Sequence, residues 1–136
     1  MAAAPYTAKG EIQVIRKIDH IVITTAHPSQ CLSFYEKLGF AARNVGGRYE
    51  LFAGDFKINV HVKGKELTPH AAKVRPGSAD LCFEIDCGLE SCREGLEAKG
   101  LCVELGIVGR TGVKGGMRSI YLRDPDGNLV ELCSYA

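Results

Sequence analysis

Three side chains able to ligate a metal, His20, Asp80 and Glu131, each fall in a short apolar run of the kind that forms a strand. The runs are IDHIVITT, ADLCFEID and LVELC. An imidazole with two carboxylates makes a reasonable donor set for a divalent ion. The imidazole suits Zn, Ni or Fe, and the hard carboxylate oxygens pull toward Mn, Fe or Mg. Taken singly, each residue has a plainer explanation. A strand histidine is commonly a hydrogen-bonded structural residue. Asp80 follows Gly77-Ser78 and would close a turn, and Glu131 would sit on a solvated edge strand. Together they outweigh those readings, because His20 and Asp80 occupy equivalent places in two similar segments. His61 is a fourth candidate ligand. Strand side chains alternate between faces, so it shares a face with Asn59. His27, expected just before a helix, and His70, in a connecting segment, read as surface residues.

Other chemistries find less support. The segment from Gly109 to Arg118 carries several glycines with Arg110, Lys114 and Arg118. It does not fit G-x-x-x-x-G-K-[ST], so it is no P-loop. It reads either as a basic surface loop or as a mobile flap whose cations meet an anionic substrate. No G-x-S-x-G elbow is present, and a nucleophilic hydrolase is not supported. The 6 cysteines include no C-x-x-C pair, which argues against a thiolate zinc site. They are expected to be reduced thiols of an intracellular protein.

The elements that position these residues form a repeat. Strand-type runs at 18–25 and 79–86 are each followed by a helix signal. The first helix starts at Pro28 and stops before Gly39, with Cys31, Leu32, Tyr35 and Leu38 at helical spacing. The second carries Leu89, Cys92 and Leu96 and stops before Gly100. Three strand candidates then follow in each half, at 40–45, 49–52 and 56–62, and at 101–108, 119–123 and 129–135. His20 and Asp80 lie sixty positions apart, as nearly do Gly39 and Gly100, so an internal duplication is the simplest reading. The expected organisation is a flexible tail at 1–14 and one domain at 15–136. Within the domain, module one covers about 15–62, a surface linker 63–77 and module two about 78–136. The fold class is α+β, with two βαβββ modules whose sheets curl around a shared cleft. Neither half alone would have a comfortable core.

The bulk properties set outer limits. The chain has 136 residues, 46% hydrophobic and 24% charged, with a formal net charge of +1. This is an ordinary balance for a globular domain. It implies no general affinity for nucleic acid or for an anionic membrane surface. No apolar run approaches the ~18 residues needed to span a bilayer. The N-terminal MAAAPYTAKGE lacks the apolar centre of a secretory signal. A cytoplasmic location is expected.

The stretches DHIVITT, FYEKLGF, KINVH, PGSADLCFEI and SIYLRDPDGNLVEL together resemble the vicinal oxygen chelate superfamily. That group includes glyoxalase I, the bleomycin-resistance proteins, the fosfomycin-resistance transferases and the extradiol dioxygenases. Within it the chain looks most like the small glyoxalase domain-containing proteins, and the likeness spans roughly 15–135. The resemblance implies a cleft lined by a divalent metal, usually in a homodimer. It carries the first-strand ligand onto His20 and the last-strand ligand onto Glu131. Asp80 stands where the family usually places a histidine. Asn59 stands where glyoxalase I has a glutamate base, and a carboxamide is no useful base, so true glyoxalase I activity is not expected. Ser119 matches a serine of the fosfomycin enzymes, with Lys114 and Arg118 near a phosphonate.

The implied function is metal-dependent lyase, isomerase, transferase or dioxygenase chemistry on a small substrate chelated through two neighbouring oxygens. His20 and Glu131 would be ligands, with Asp80 or His61 completing the shell, and Glu131 would be the catalytic carboxylate. Asn59, Arg110, Lys114, Arg118 and Ser119 would contact substrate. The alternative is a binding or sequestering module of the bleomycin-resistance type, or a degenerate member in which His20 and Asp80 are structural.

Overall fold

The computed structural model describes residues 14–136, so the expected N-terminal tail lies outside the described residues except for Val14. Module one runs β1 (His20–Thr25), α1 (Pro28–Lys37), β2 (Ala41–Val45), β3 (Arg48–Ala53) and β4 (Phe56–Val62). Module two repeats the order with β5 (Asp80–Glu84), α2 (Leu89–Ala98), β6 (Leu105–Gly112), β7 (Gly115–Arg123) and β8 (Leu129–Ser134). Each module makes a four-stranded sheet, ordered β1-β4-β3-β2 and β5-β8-β7-β6. In both, the first strand pairs in parallel with the last, and the remaining neighbours are antiparallel.

The helices form where the apolar spacing demands. In α1, Pro28 occupies the first turn, where its missing N–H costs nothing. Cys31, Phe34 and Tyr35 recur at three- and four-residue intervals and are buried. In α2, Leu89 and Leu96, two turns apart, are the buried pair.

Each sheet turns one face inward to a core shared by both modules. Ile23, Leu51, Ile58 and Val60 of the first join Ile120, Leu122, Val130 and Leu132 of the second in one apolar cluster. Between the modules Phe40, Phe56 and Phe83 pack at ring separations of 5.3 to 5.9 Å. By alternation, the opposite faces carry His20, Asn59 and His61 on one sheet, and Asp80, Ser119 and Glu131 on the other.

A buried polar joint also ties the modules. Asp124, 4% exposed, accepts hydrogen bonds from the Tyr35 hydroxyl at 2.8 Å and the Asn128 side-chain amide at 2.7 Å. The backbone N–H groups of Asp126 and Asn128 also donate to it, both at 2.9 Å. Asp126 in turn accepts from the Thr25 hydroxyl and from the Ala26 N–H, at the end of β1. Asn128 Oδ1 accepts from the Ala79 N–H at the entry to β5. Gly77, ending the linker, lies against the Asp126 carbonyl, and a Cβ there would collide with it. Its φ of 81° is also a conformation that glycine alone adopts cheaply.

One expected feature is corrected. The glycine-rich segment after 108 is not a loose flap. It is the paired hairpin of β6 and β7, in register from Val108 opposite Ser119 to Gly112 opposite Gly115. Its glycines resemble chain breakers, but the close pairing requires at least one of them. A side chain at Gly112 would strike the Tyr135 hydroxyl and the Met117 sulfur. The strand expected at 101–108 correspondingly begins later, at Leu105.

Candidate functional site

His20 opens β1, and its orientation is set by its sequence neighbour. Its Nδ1 lies 2.7 Å from Asp19 Oδ1. A carboxylate only accepts, so Nδ1 is the donor, and in the neutral tautomer this leaves Nε2 as the ligating nitrogen. The hydrogen bond from His20, outweighing some desolvation, holds the Asp19 carboxyl below its usual range. This is the arrangement by which a carboxylate fixes a ligating histidine.

Glu131 sits in the middle of β8, level with Cys82 on one side and Tyr121 on the other. The fully buried Ser119 donates to its Oε2 at 2.6 Å. Ser119 therefore orients the carboxylate and is not reachable by a substrate. Asp80 begins β5 opposite Leu129, two residues along from the level of Glu131, and is exposed.

The register separates the two histidines of module one. His20 is level with Lys57 and His61 with Thr24, so His61 lies four residues along the sheet. At ~3.3 Å per residue that is about 13 Å between backbones. Asn59, opposite Val22 and Glu50, lies between them. The Asn59 Oδ1 and His61 Nδ1 atoms are buried and have no hydrogen-bond partner among the described residues.

The three cations of the β6–β7 hairpin part company for the same reason. Arg118 takes the opposite face from Ser119 and grips Glu90 of α2 through two bonds, at 2.8 and 3.1 Å. Lys114, in the turn, pairs with Glu84 at 2.9 Å and lies over the Tyr135 ring. Arg110 donates to the Tyr121 hydroxyl at 2.9 Å, its guanidinium over that ring, and remains on the Glu131 face. Arg118 holds the Glu90 carboxyl down at about 2. In Arg118→Ala the Glu90 carboxyl should rise from about 2 toward the ordinary 4.5 but stay below it, because its backbone hydrogen bond remains, as read by carbon-detected NMR. Because the folded value is depressed, the pair's stabilisation is complete above about 4.5 and disappears as pH falls toward about 2.

Three residues on these faces escaped the sequence reading. Asp19, beside His20, orients it. Tyr121, two residues after Ser119, flanks Glu131. Cys82, two residues after Asp80, flanks it on the other side, a position that strand alternation alone would have suggested. Cys82 is exposed at the surface, and partial desolvation, then the neighbouring Cys133 and Glu131, push its thiol up.

Among the described residues, no three His, Cys, Asp or Glu side chains converge to form a metal-holding group within one chain. His20 lies on the sheet of module one, Asp80 and Glu131 on that of module two. Four large apolar side chains on the same non-core faces are exposed: Val22 48%, Val45 49%, Phe52 37% and Leu105 47%.

Residues 17–132 match the family model described as the Glyoxalase/Bleomycin resistance protein/Dioxygenase superfamily. The glyoxalase domain-containing protein RDO1 of Mycosarcoma maydis is 42% identical over 99% of this chain and 78% of its own length. The virulence protein STM3117 of Salmonella typhimurium is 40% identical over 99% of this chain and 96% of its own. A solved integron cassette protein from the mobile metagenome of V. cholerae superposes with a TM-score of 0.88 at 43% identity, covering 93% of this chain and all of that one.

Proposed function

Because this chain belongs to the glyoxalase/bleomycin resistance protein/dioxygenase superfamily, we propose that it is a divalent-metal enzyme for a small substrate bearing two neighbouring oxygens. The observation that carries this is the orientation of its donors. The imidazole of His20 is held at Nδ1 by Asp19, and the carboxylate of Glu131 is held at Oε2 by Ser119. A carboxylate partner at one imidazole nitrogen is what metal-ligating histidines usually have.

His20, Glu131 and Asp80 would hold the ion, an Fe, Mn, Ni, Zn or Mg centre. When bound, it would supply Lewis-acid polarisation of the substrate oxygens. The chain's own contribution is positional. Glu131 offers a fixed carboxylate that can also take a proton, and Asn59 offers a carboxamide that cannot act as a base. That substitution argues against the proton shuttle of glyoxalase I. His61, four residues from His20 along the sheet, is assigned away from the metal.

The donors lie on two sheets, so completing the shell calls for a second copy, with module one of one protomer meeting module two of the other. The exposed Val22, Phe52 and Leu105 on those faces support a homodimer, since grouped exposed apolar side chains mark interfaces. The six cysteines are free, which fits a reducing, cytoplasmic setting. Among the described residues no helix is long and apolar enough to cross a membrane.

The test is elemental analysis of protein purified without chelator, alongside His20→Ala and Glu131→Ala. The wild type should carry close to one divalent ion per chain and each variant less than a tenth of that. If the wild type holds no more than the variants, the metalloenzyme reading fails. The exposed apolar side chains would then favour the sequestering module, with the same faces closing on an apolar ligand.

A further inference from the structure

Between β3, β4 and the start of the linker lies a recess of ≈ 100 Å³, lined among others by Arg48, Glu50, Asn59, His61 and Lys65. Its charge balance is distinctive. Glu50, the one carboxylate in the lining, is already taken by Lys57 at 2.5 Å. Lys57 first, then Arg43 and Arg48, hold its carboxyl below the usual range. Arg48 and Lys65 form no ion pair among the described residues, although Arg48 lies close enough to act on Glu50, and Glu66 beside the recess acts on His61. On module two, Lys114 and Arg118 are matched by Glu84 and Glu90, while Arg110 meets the Tyr121 hydroxyl.

Two further groups in the lining want a partner. Asn59 Oδ1 and His61 Nδ1 are buried without one. The amide oxygen and nitrogen of Asn59 exchange by a simple flip, and either imidazole nitrogen can carry the proton, so both side chains can present N–H donors. Two cations and two nearby donors are the equipment of an oxyanion site.

We propose that this recess binds the anionic end of the substrate, a carboxylate or a phosphate-type oxyanion, through Arg48, Lys65, Asn59 and His61. Size limits what enters. The recess equals about three waters of ~30 Å³ each, well below the ~300–1,000 Å³ of pockets that enclose a whole organic ligand. Only a head group fits, and the rest of the molecule lies outside it. Asn59 is opposite Val22, two residues from His20, or ~7 Å along the strand. A short oxygen-rich acid anchored here would reach His20 with its far oxygens. That last step rests on the proposed function, whereas the anion site itself does not.

The experiment therefore uses the full chain stripped of metal by chelation and dialysed. Its 1H–15N NMR spectrum is followed during titration with acetate and, separately, inorganic phosphate, with chloride holding ionic strength constant. Saturable shifts should appear at Arg48, Asn59, His61 and Lys65. Acetate alone, phosphate alone or both would support the proposal and identify the head group. The double variant Arg48→Ala with Lys65→Ala alters only exposed side chains, and it should weaken the interaction at least tenfold. The proposal is overturned if neither anion gives saturable shifts at these residues, if the shifts centre on Arg110, or if the double variant binds as tightly as wild type. Since no metal is present, failure here leaves the metal assignment standing, and failed metal uptake leaves this result standing.

Discussion

Asp124→Ala should lower the thermal midpoint by roughly 10 °C or more. Asp124 is 4% exposed and accepts four hydrogen bonds, from the Tyr35 hydroxyl, the Asn128 amide and two backbone N–H groups. Truncation leaves those buried donors unpaired, at about 1–3 kcal/mol for each one that finds no water. A net loss of ~3–5 kcal/mol corresponds to about 3 °C for each kcal/mol in a domain of this size. Tyr35→Phe removes one donor and leaves three, so it should cost only about 1 kcal/mol. Burial, and then Asp124 itself, push the Tyr35 phenol up, so it stays protonated and donating at any pH at which the protein folds. Scanning calorimetry on the two variants checks the pair. A shift below ~3 °C for Asp124→Ala would show that the joint is peripheral.

Ser119→Ala should weaken divalent metal binding by about 10–100-fold while leaving the fold intact, the usual consequence of removing a residue that orients a ligand. The substitution deletes a single hydroxyl whose structural partner is the Glu131 carboxylate at 2.6 Å. Glu131 is then free to rotate, and the ion must organise it on binding. Asp19→Ala should act on His20 in the same manner. Competition against a chromophoric chelator gives the affinity, and circular dichroism verifies folding. An affinity within twofold of wild type in both variants would mean that these contacts do not prepare the donors. That outcome would remove the main support for a metal site.

Much of the fold was legible because it is written locally. Apolar periodicity, Pro28, Gly39 and Gly100 marked both helices, and the repeated order of segments implied two equivalent sheets. The site was legible by residue type but not by grouping. His20 and His61 look alike as strand histidines, yet only the pairing of β1 with β4 reveals that they lie four residues apart along the sheet. Arg110, Lys114 and Arg118 look like one basic loop, yet strand alternation sends Arg118 to the helix side and leaves Arg110 beside Tyr121. Register is a property of two strands, and neither strand alone carries it. The joint through Asp124 and Asp126 was not legible, because its partners lie 89 and 101 positions away. Nothing in the local pattern distinguishes a turn that faces solvent from one that faces another module.

That joint also sets the two modules apart. The hairpin turn of module one that corresponds to it, Gly54-Asp55, makes no such contacts, and Asp55 pairs instead with the exposed Lys17. The two copies have divided the labour of adhesion. One supplies the sockets, in Tyr35, Thr25 and the Ala26 N–H, and the other supplies the pegs, in Asp124 and Asp126. A chain built of two first modules would have sockets with nothing to fill them, and one built of two second modules would have the reverse. The two halves are complementary rather than interchangeable, a lock and its key. A five-residue turn joins them into one unit.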